Sequence, residues 1–422
     1  MRIALLCSEY FHYRLEGGRQ IPTQSHGGFG YLTRKKAEGF AKKGHDVHVL
    51  VPAPHFDSTA EAVSEIHLGG VTVHPYSATK PSGLGGLSPL LSSVERGIIA
   101  VTGGRIPALE SLIRRVDAEI YVSENPSLAS SSVPQSYLHV LIFHDPWGLS
   151  DVLTLQRAAH DYTRIAGVRS LPLSPVSGSA LPWYDELTNV TGTLLLRRLT
   201  RSIPPAHMFA EAECTAKKAS ELYRLKSLPG ILPNPVDVPS TPGIKAETPT
   251  ICWIGRWDPQ KRVDLLLKAA SNLPEIEFYV IGSPTVRPDL LEAAAVMESR
   301  YSRYPNIHLM RFVSEEEKAR VLDQSWYLLN TSCREGLPTS FLEAWAHGTA
   351  VIAPVDPDGY VSRFGRYVAD GNYQKAIQDC VRSEGYRTMG PAGHAFVRDT
   401  FRTDEVVRRH LEVFTQLTSA AK

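Results

Sequence analysis

Two glutamates, Glu335 and Glu343, flank a predicted helix start in the segment REGLPTSFLEAWAHGTAVIAP from Arg334 to Pro354. Pro338 suits a first helical turn, Phe341, Leu342 and Trp345 give apolar spacing, and Gly348 ends the run. The first turn of such a helix offers unpaired N–H groups and the positive end of a dipole, which favours phosphate. Glu335 falls just before that turn and Glu343 just inside it. Carboxylates there repel phosphate and accept hydrogen bonds from neutral hydroxyls. The combination describes a ligand carrying both groups, a sugar nucleotide.

A basic pair lies upstream. Gly255-Arg256-Trp257-Asp258-Pro259-Gln260-Lys261-Arg262 directly follows the predicted strand ICWI. Arg256 leaves the strand at its carboxyl end, where open α/β sheets bind ligands, and Lys261 comes near the next helix start. Together they can place two positive charges on a diphosphate.

The amino-terminal half supplies two further candidates. His144, in VLIFHDPWG, stands at the carboxyl end of a buried strand, and Asp145 follows it as an acceptor-binding or turn-capping group. Gly27, Gly28 and Gly30 form a glycine loop before a helix and let backbone approach a ligand. The loop before them is long, Thr33 stands where a third glycine is needed, and the second strand ends without an acid, so a dinucleotide fingerprint is excluded.

The elements that position these residues repeat as strand then helix. Ile3–Cys7, Asp46–Pro52, Val71–Pro75, Glu119–Ser123 and Val140–His144 read as buried strands, with a helix between the first two that ends at Gly44. The rhythm pauses in the Pro-rich stretch Pro233–Pro249 and restarts with Thr250–Ile254, Glu277–Ile281, Ile307–Phe312, Tyr327–Asn330 and Ala350–Ile352. The predicted class is α/β, with two Rossmann-like domains facing a cleft.

Composition agrees. At 422 residues the chain exceeds one ordinary core. Its net charge of +1 argues against nucleic acid as partner. The five cysteines, Cys7, Cys214, Cys252, Cys333 and Cys380, have no metal spacing and read as free thiols in a reducing compartment. MRIALLCSEY is too brief for a signal peptide and no stretch reaches membrane-span length, so a cytoplasmic location is expected.

In order along the chain, GGFG with its helix, LPNPVDV, GRWDPQKRVDLLLKA and REGLPTSFLEAWAHGTAVIAP resemble the retaining, nucleotide-sugar-dependent glycosyltransferases of family four. The resemblance implies the GT-B fold. It divides the chain into an acceptor-binding domain 1–237, a donor-binding domain 238–400, and a terminal segment 401–422 whose helix, read over Val406–Leu417, returns to the first domain. It makes Arg256 and Lys261 the diphosphate ligands that stabilise the leaving group in place of a metal. Glu343 binds the ribose diol, Glu335 the sugar hydroxyls, and the backbone of Gly336, Leu337, Pro338 and Thr339 touches sugar or phosphate. The base, of UDP or GDP type, is expected near Gly282 or along Arg311, Phe312 and Val313. His144 belongs beside the transferred sugar and is not a general base. No metal or further cofactor is expected, and the acceptor is a saccharide, a lipid-linked group or a small molecule.

The chain departs from that pattern after the glutamate helix, where Pro354-Val355-Asp356-Pro357-Asp358-Gly359-Tyr360 replaces a Gly-Gly-x-Pro-Glu loop. Asp356 and Asp358 read as turn residues rather than metal ligands. Acceptor specificity is expected in the loops Ser77–Arg105 and Arg169–Leu187. Arg197, Arg198 and Arg201 read as a solvated helix face in preference to a membrane contact. The rival readings are a GT-B sugar-nucleotide epimerase and a non-catalytic sugar-nucleotide sensor.

Overall fold

A computed structural model describes residues 1–8, 10–16, 19–24, 28–52, 65–76, 105–166, 183–284 and 288–421. The chain divides into two compact units. The first comprises Met1–Gly148, Leu187–Pro235 and Thr403–Lys422, and the second Leu149–Glu186 and Val236–Arg402.

The first unit is built on an eight-stranded sheet. Its order is Gly230–Ile231, Met208–Ala210, His139–Phe143, Ile120–Glu124, Arg2–Leu6, Asp46–Pro52, Val71–Tyr76 and Ile66–Leu68, parallel except for the last pair. Ile3, Leu5, Val47, Val49, Val122, Val140 and Ile142 are each at most 1% exposed, as expected of strands covered on both faces. The helix Gly28–Lys42 packs on this sheet and stops at Gly44, whose φ of +82° is a left-handed helix end. The terminal helix Thr403–Ala420 places Val407 and Phe414 in the same core.

The second unit holds a six-stranded, wholly parallel sheet in the order Ile307–Met310, Glu277–Ile281, Thr250–Ile254, Tyr327–Leu329, Ala350–Ala353, Gly365–Tyr367. Trp253, Phe278, Val280, Leu329 and Ile352 fill its core. The segment Leu149–Glu186, which the sequence reading left inside 1–237, falls with this unit because Tyr162 is part of its core and Asp151 pairs with Arg334 at 3.1 Å.

Several elements differ from the sequence reading. The stretch after Cys7 is not a plain loop, because Phe11–Glu16 and Arg19–Gln24 pair as an antiparallel hairpin. The strand begun at Ile307 ends at Met310, which leaves Phe312 outside it and 68% exposed. The Pro-rich stretch contains the boundary between the units at Pro235 and Val236, and Ile244 within it is 89% exposed, but it is anchored at two points. Asn234 is 1% exposed, and Lys245 Nζ donates to Leu322 O, His347 O and Thr349 Oγ1 at 2.8 to 3.1 Å. Burial pulls the Lys245 ammonium down to about 8.

Candidate active site

The strand Thr250–Ile254 lies between Glu277–Ile281 and Tyr327–Leu329, so the chain winds away from it in both directions along the sheet. Ligands of open α/β sheets bind outside the strand ends at such a reversal. The loop leaving this strand is shaped by Asp258. Its Oδ1 accepts hydrogen bonds from the backbone N–H of Gln260 at 3.0 Å and of Lys261 at 2.9 Å, and its Oδ2 from Arg256 Nε at 2.9 Å. One carboxylate thus fixes the Arg256 side chain and the backbone that carries Lys261. The Arg256 side chain remains 58% exposed.

The loop is joined to the glutamate segment at several points. Cys333 N–H donates to Gln260 O at 2.9 Å, Gln260 Nε2 to Arg334 O at 3.3 Å, and Thr331 Oγ1 to Lys261 O at 2.7 Å. Lys261 Nζ reaches Glu335 Oε1 at 2.5 Å, and Asn330 Nδ2 donates to the same oxygen at 3.4 Å. Burial opposes charge on Glu335, yet Lys261 outweighs it and holds the carboxyl below its ordinary value.

The helix after Glu335 runs Thr339–Ala346. Pro338, with ψ of 132°, is the extended residue just before it rather than part of the first turn. Glu343 is the fifth helical residue, in the second turn rather than just inside the first. It is held by Lys318, whose Nζ lies 2.8 Å from Glu343 Oε1 and 2.9 Å from Glu315 Oε2. Burial lowers the Lys318 ammonium, and Glu343 and Glu315 raise it above its ordinary value in sum. Gly336 is half-buried, while Leu337 and Pro338 are buried.

Gly282, at the end of the next strand, has φ of +130°, and a Cβ there would sit 1.8 Å from the Gly255 carbonyl oxygen. Its N–H donates to Met310 O at 3.0 Å. Glycine is required by this close approach of the two strand ends. Val313 is half-buried beside the exposed Phe312.

In the first unit, His144 is 4% exposed. Its Nε2 lies 2.6 Å from Glu124 Oε2 and its Nδ1 3.1 Å from Glu211 Oε2. Burial and Lys36 oppose protonation of the ring, and the hydrogen bonds to Glu124 and Glu211 outweigh them, raising it above its ordinary value. Asp145 is half-buried and accepts from Trp147 Nε1 at 3.0 Å. Gly28 begins its helix and Gly30 is buried within it, whereas Gly27 lies outside the described residues. Residues 77–104 and 167–182, most of the two expected specificity loops, also lie outside them.

Asp356 works as a cap. Its Oδ1 accepts from the N–H of Val361 at 2.8 Å and of Ser362 at 3.1 Å, fixing the short helix Tyr360–Phe364. Arg197 is not merely solvated, since its Nε donates to Leu222 O at 2.8 Å. Asp258, Asn330 and Lys318 escaped the sequence reading. Asp258 had a signal in its place between the two cations, while Lys318 and Glu343, 25 positions apart, carry none.

Residues 248–382 match the family model described as glycosyl transferases group 1. Among solved structures, a sucrose-phosphate synthase from Thermosynechococcus elongatus superposes with a TM-score of 0.69 at 15% identity, covering 99% of each chain. Anabaena HepE in complex with UDP and glucose gives 0.60 at 13% identity, over 98% of this chain and 99% of that one. An E. coli trehalose-6-phosphate structure bound with UDP-2-fluoro glucose gives 0.61 at 11% identity, over 99% of each. The fold is GT-B. The matched residues 248–382 contain Arg256, Lys261, Lys318, Glu335 and Glu343. A search of the curated proteins gives no significant match. No helix among the described residues is long and apolar enough to cross a membrane.

Proposed function

We propose that this chain transfers a sugar from a nucleoside diphosphate sugar to an acceptor hydroxyl, with retention of anomeric configuration and without a metal. The observation that carries the reading is the Lys261–Glu335 contact at 2.5 Å, a cation and a carboxylate held together immediately before the helix start at Thr339. The family match over the same segment supports it.

In this reading the donor diphosphate lies against Arg256 and Lys261, whose charges stabilise the departing nucleotide. The helix start beyond Gly336, Leu337 and Pro338 adds its dipole. Glu335 accepts hydrogen bonds from the sugar hydroxyls and Glu343 from the ribose diol. The base lies near Gly282, with exposed Phe312 and Val313 as its flank, and His144 and Asp145 serve the sugar and acceptor side. The anomeric C–O bond to phosphate breaks while the acceptor oxygen bonds to the same face of that carbon. The acceptor proton passes to the departing phosphate oxygen, so no protein base is used. Solved neighbours carrying UDP or UDP-glucose favour a uridine donor.

The test is incubation with a panel of UDP- and GDP-sugars and hydroxyl acceptors, with and without chelator. Nucleotide release and the anomeric signals of the product are followed by NMR. The proposal expects release in chelator and an α-linked product from an α-linked donor. Inverted product overturns retention. Interconversion of sugars without transfer favours the epimerase, and binding without turnover the sensor.

A further inference from the structure

Three neighbouring parallel strands of the first unit end on ionisable side chains. Glu124 closes Ile120–Glu124, His144 follows His139–Phe143, and Glu211 follows Met208–Ala210. Lys36, from the helix Gly28–Lys42, brings Nζ to 2.6 Å from Glu124 Oε2. Asn234 lies between, accepting from Lys36 Nζ at 3.4 Å, with its Nδ2 in contact with Glu211 and 3.2 Å from His144 Nδ1. From the terminal helix, His410 is kept neutral by burial, with Lys36 acting in the same sense, and donates from Nδ1 to Val406 O. All six side chains belong to residues no more than 5% exposed.

Charge and hydrogen-bond polarity both bear on His144. Ionised carboxylates only accept, so oxygens against both ring nitrogens call for a proton on each. A protonated ring also sets a second cation, beside Lys36, against the two buried carboxylates. The competing state moves one proton from the ring to Glu211 and gives up the charge-assisted contact.

We propose that Glu124 and Glu211 are positioning residues that hold His144 as a doubly donating imidazolium, a fixed cation at the sheet's carboxyl edge that takes no proton during transfer. The catalytic part rests on the sugar-transfer reading. The charge state does not.

The full chain labelled with [15N]histidine tests the charge directly by long-range 1H–15N spectra, His144 being assigned by its loss in His144→Gln. Both ring nitrogens should show protonated shifts at pH 7.5, and a neutral ring overturns the proposal. In Glu211→Gln, Nδ1 loses its anionic acceptor, so the ring should become neutral at that pH. Transfer should fall at least tenfold in kcat at pH 8, with little change in donor KM, and the deficit should shrink as pH falls toward 5.5. A Glu211→Gln enzyme with the wild-type pH profile overturns the positioning role. If that variant does not fold, Glu124→Gln provides the same comparison and the wild-type spectrum still decides the charge. A wild type without transfer on any donor defeats the sugar-transfer reading, and with it the catalytic role, while the spectrum reports on the imidazolium alone.

Discussion

Lys261 and Glu335 stand 74 residues apart in sequence and meet at 2.5 Å, with the Glu335 side chain 8% exposed and that of Lys261 20%. The contact keeps a cation aimed and a buried carboxylate ionised before any ligand arrives. A phosphate that engages Lys261 competes with Glu335, so the pair links donor binding to local stability.

Removing one partner strands the other. Lys261→Ala should destabilise the second unit by on the order of 3 kcal/mol, because a buried carboxylate loses its cation. It should also lower donor turnover at least tenfold, about 1.4 kcal/mol in the barrier. Lys261→Met with Glu335→Gln should recover most of the stability and none of the turnover. Denaturant melts of the two variants, set beside kcat/KM, check both statements.

Gly282→Ala should be more damaging than its size suggests. The new methyl would meet the Gly255 carbonyl at 1.8 Å and take a φ of +130°. The strain alone costs about 1–3 kcal/mol, and the forced separation of the two strand ends adds to it. A thermal melt should drop clearly, while Gly359→Ala, with nothing within 4 Å of its Cβ, should lose only the cost of its φ of +73°.

The two buried ionic sites give opposite pH dependences. Glu335 is held below its ordinary 4.5, so its contribution to stability is present above that pH and is lost as pH falls through the lower folded value. His144 is raised above 6.5, so its contribution is complete below that pH and is lost as pH rises through the folded value. Denaturation midpoints across pH 3 to 9 should show the acid-side loss reduced in Glu335→Gln and the alkaline-side loss reduced in His144→Gln.

Lys318→Ala tests the contact that the sequence did not disclose. Glu343 would lose its 2.8 Å partner and its fixed orientation. If Glu343 holds the donor ribose as proposed, donor KM should rise several-fold with kcat nearly unchanged, since that contact is remote from the reacting bond. Steady-state kinetics on the variant read the split.

The strands were legible because parallel strands buried on both faces are continuous apolar runs. Asp46–Pro52, Thr250–Ile254 and Glu277–Ile281 were bounded to the residue. The hairpin Phe11–Glu16 with Arg19–Gln24 was missed because RQIPTQ carries a proline and polar residues that mask its pattern. Arg256, Lys261 and Glu335 stood out because strand-end cations and a carboxylate at a helix start carry local chemical signals. The partnerships of Glu343 with Lys318 and of His144 with Glu124 and Glu211 did not, since they are made by residues far apart in the chain whose types are ordinary. The Pro-rich stretch does contain the boundary between the units, but nothing local to Asn234 or Lys245 shows that distant backbone and side chains receive them.

The central claim, a metal-independent diphosphate site on Arg256 and Lys261, is tested most directly by calorimetric titration of UDP and GDP in chelator, with the wild type and Lys261→Ala. The account predicts binding of at least one nucleotide to the wild type and at least tenfold weaker binding to the variant. Binding that requires a divalent ion, or that survives Lys261→Ala unchanged, would contradict it.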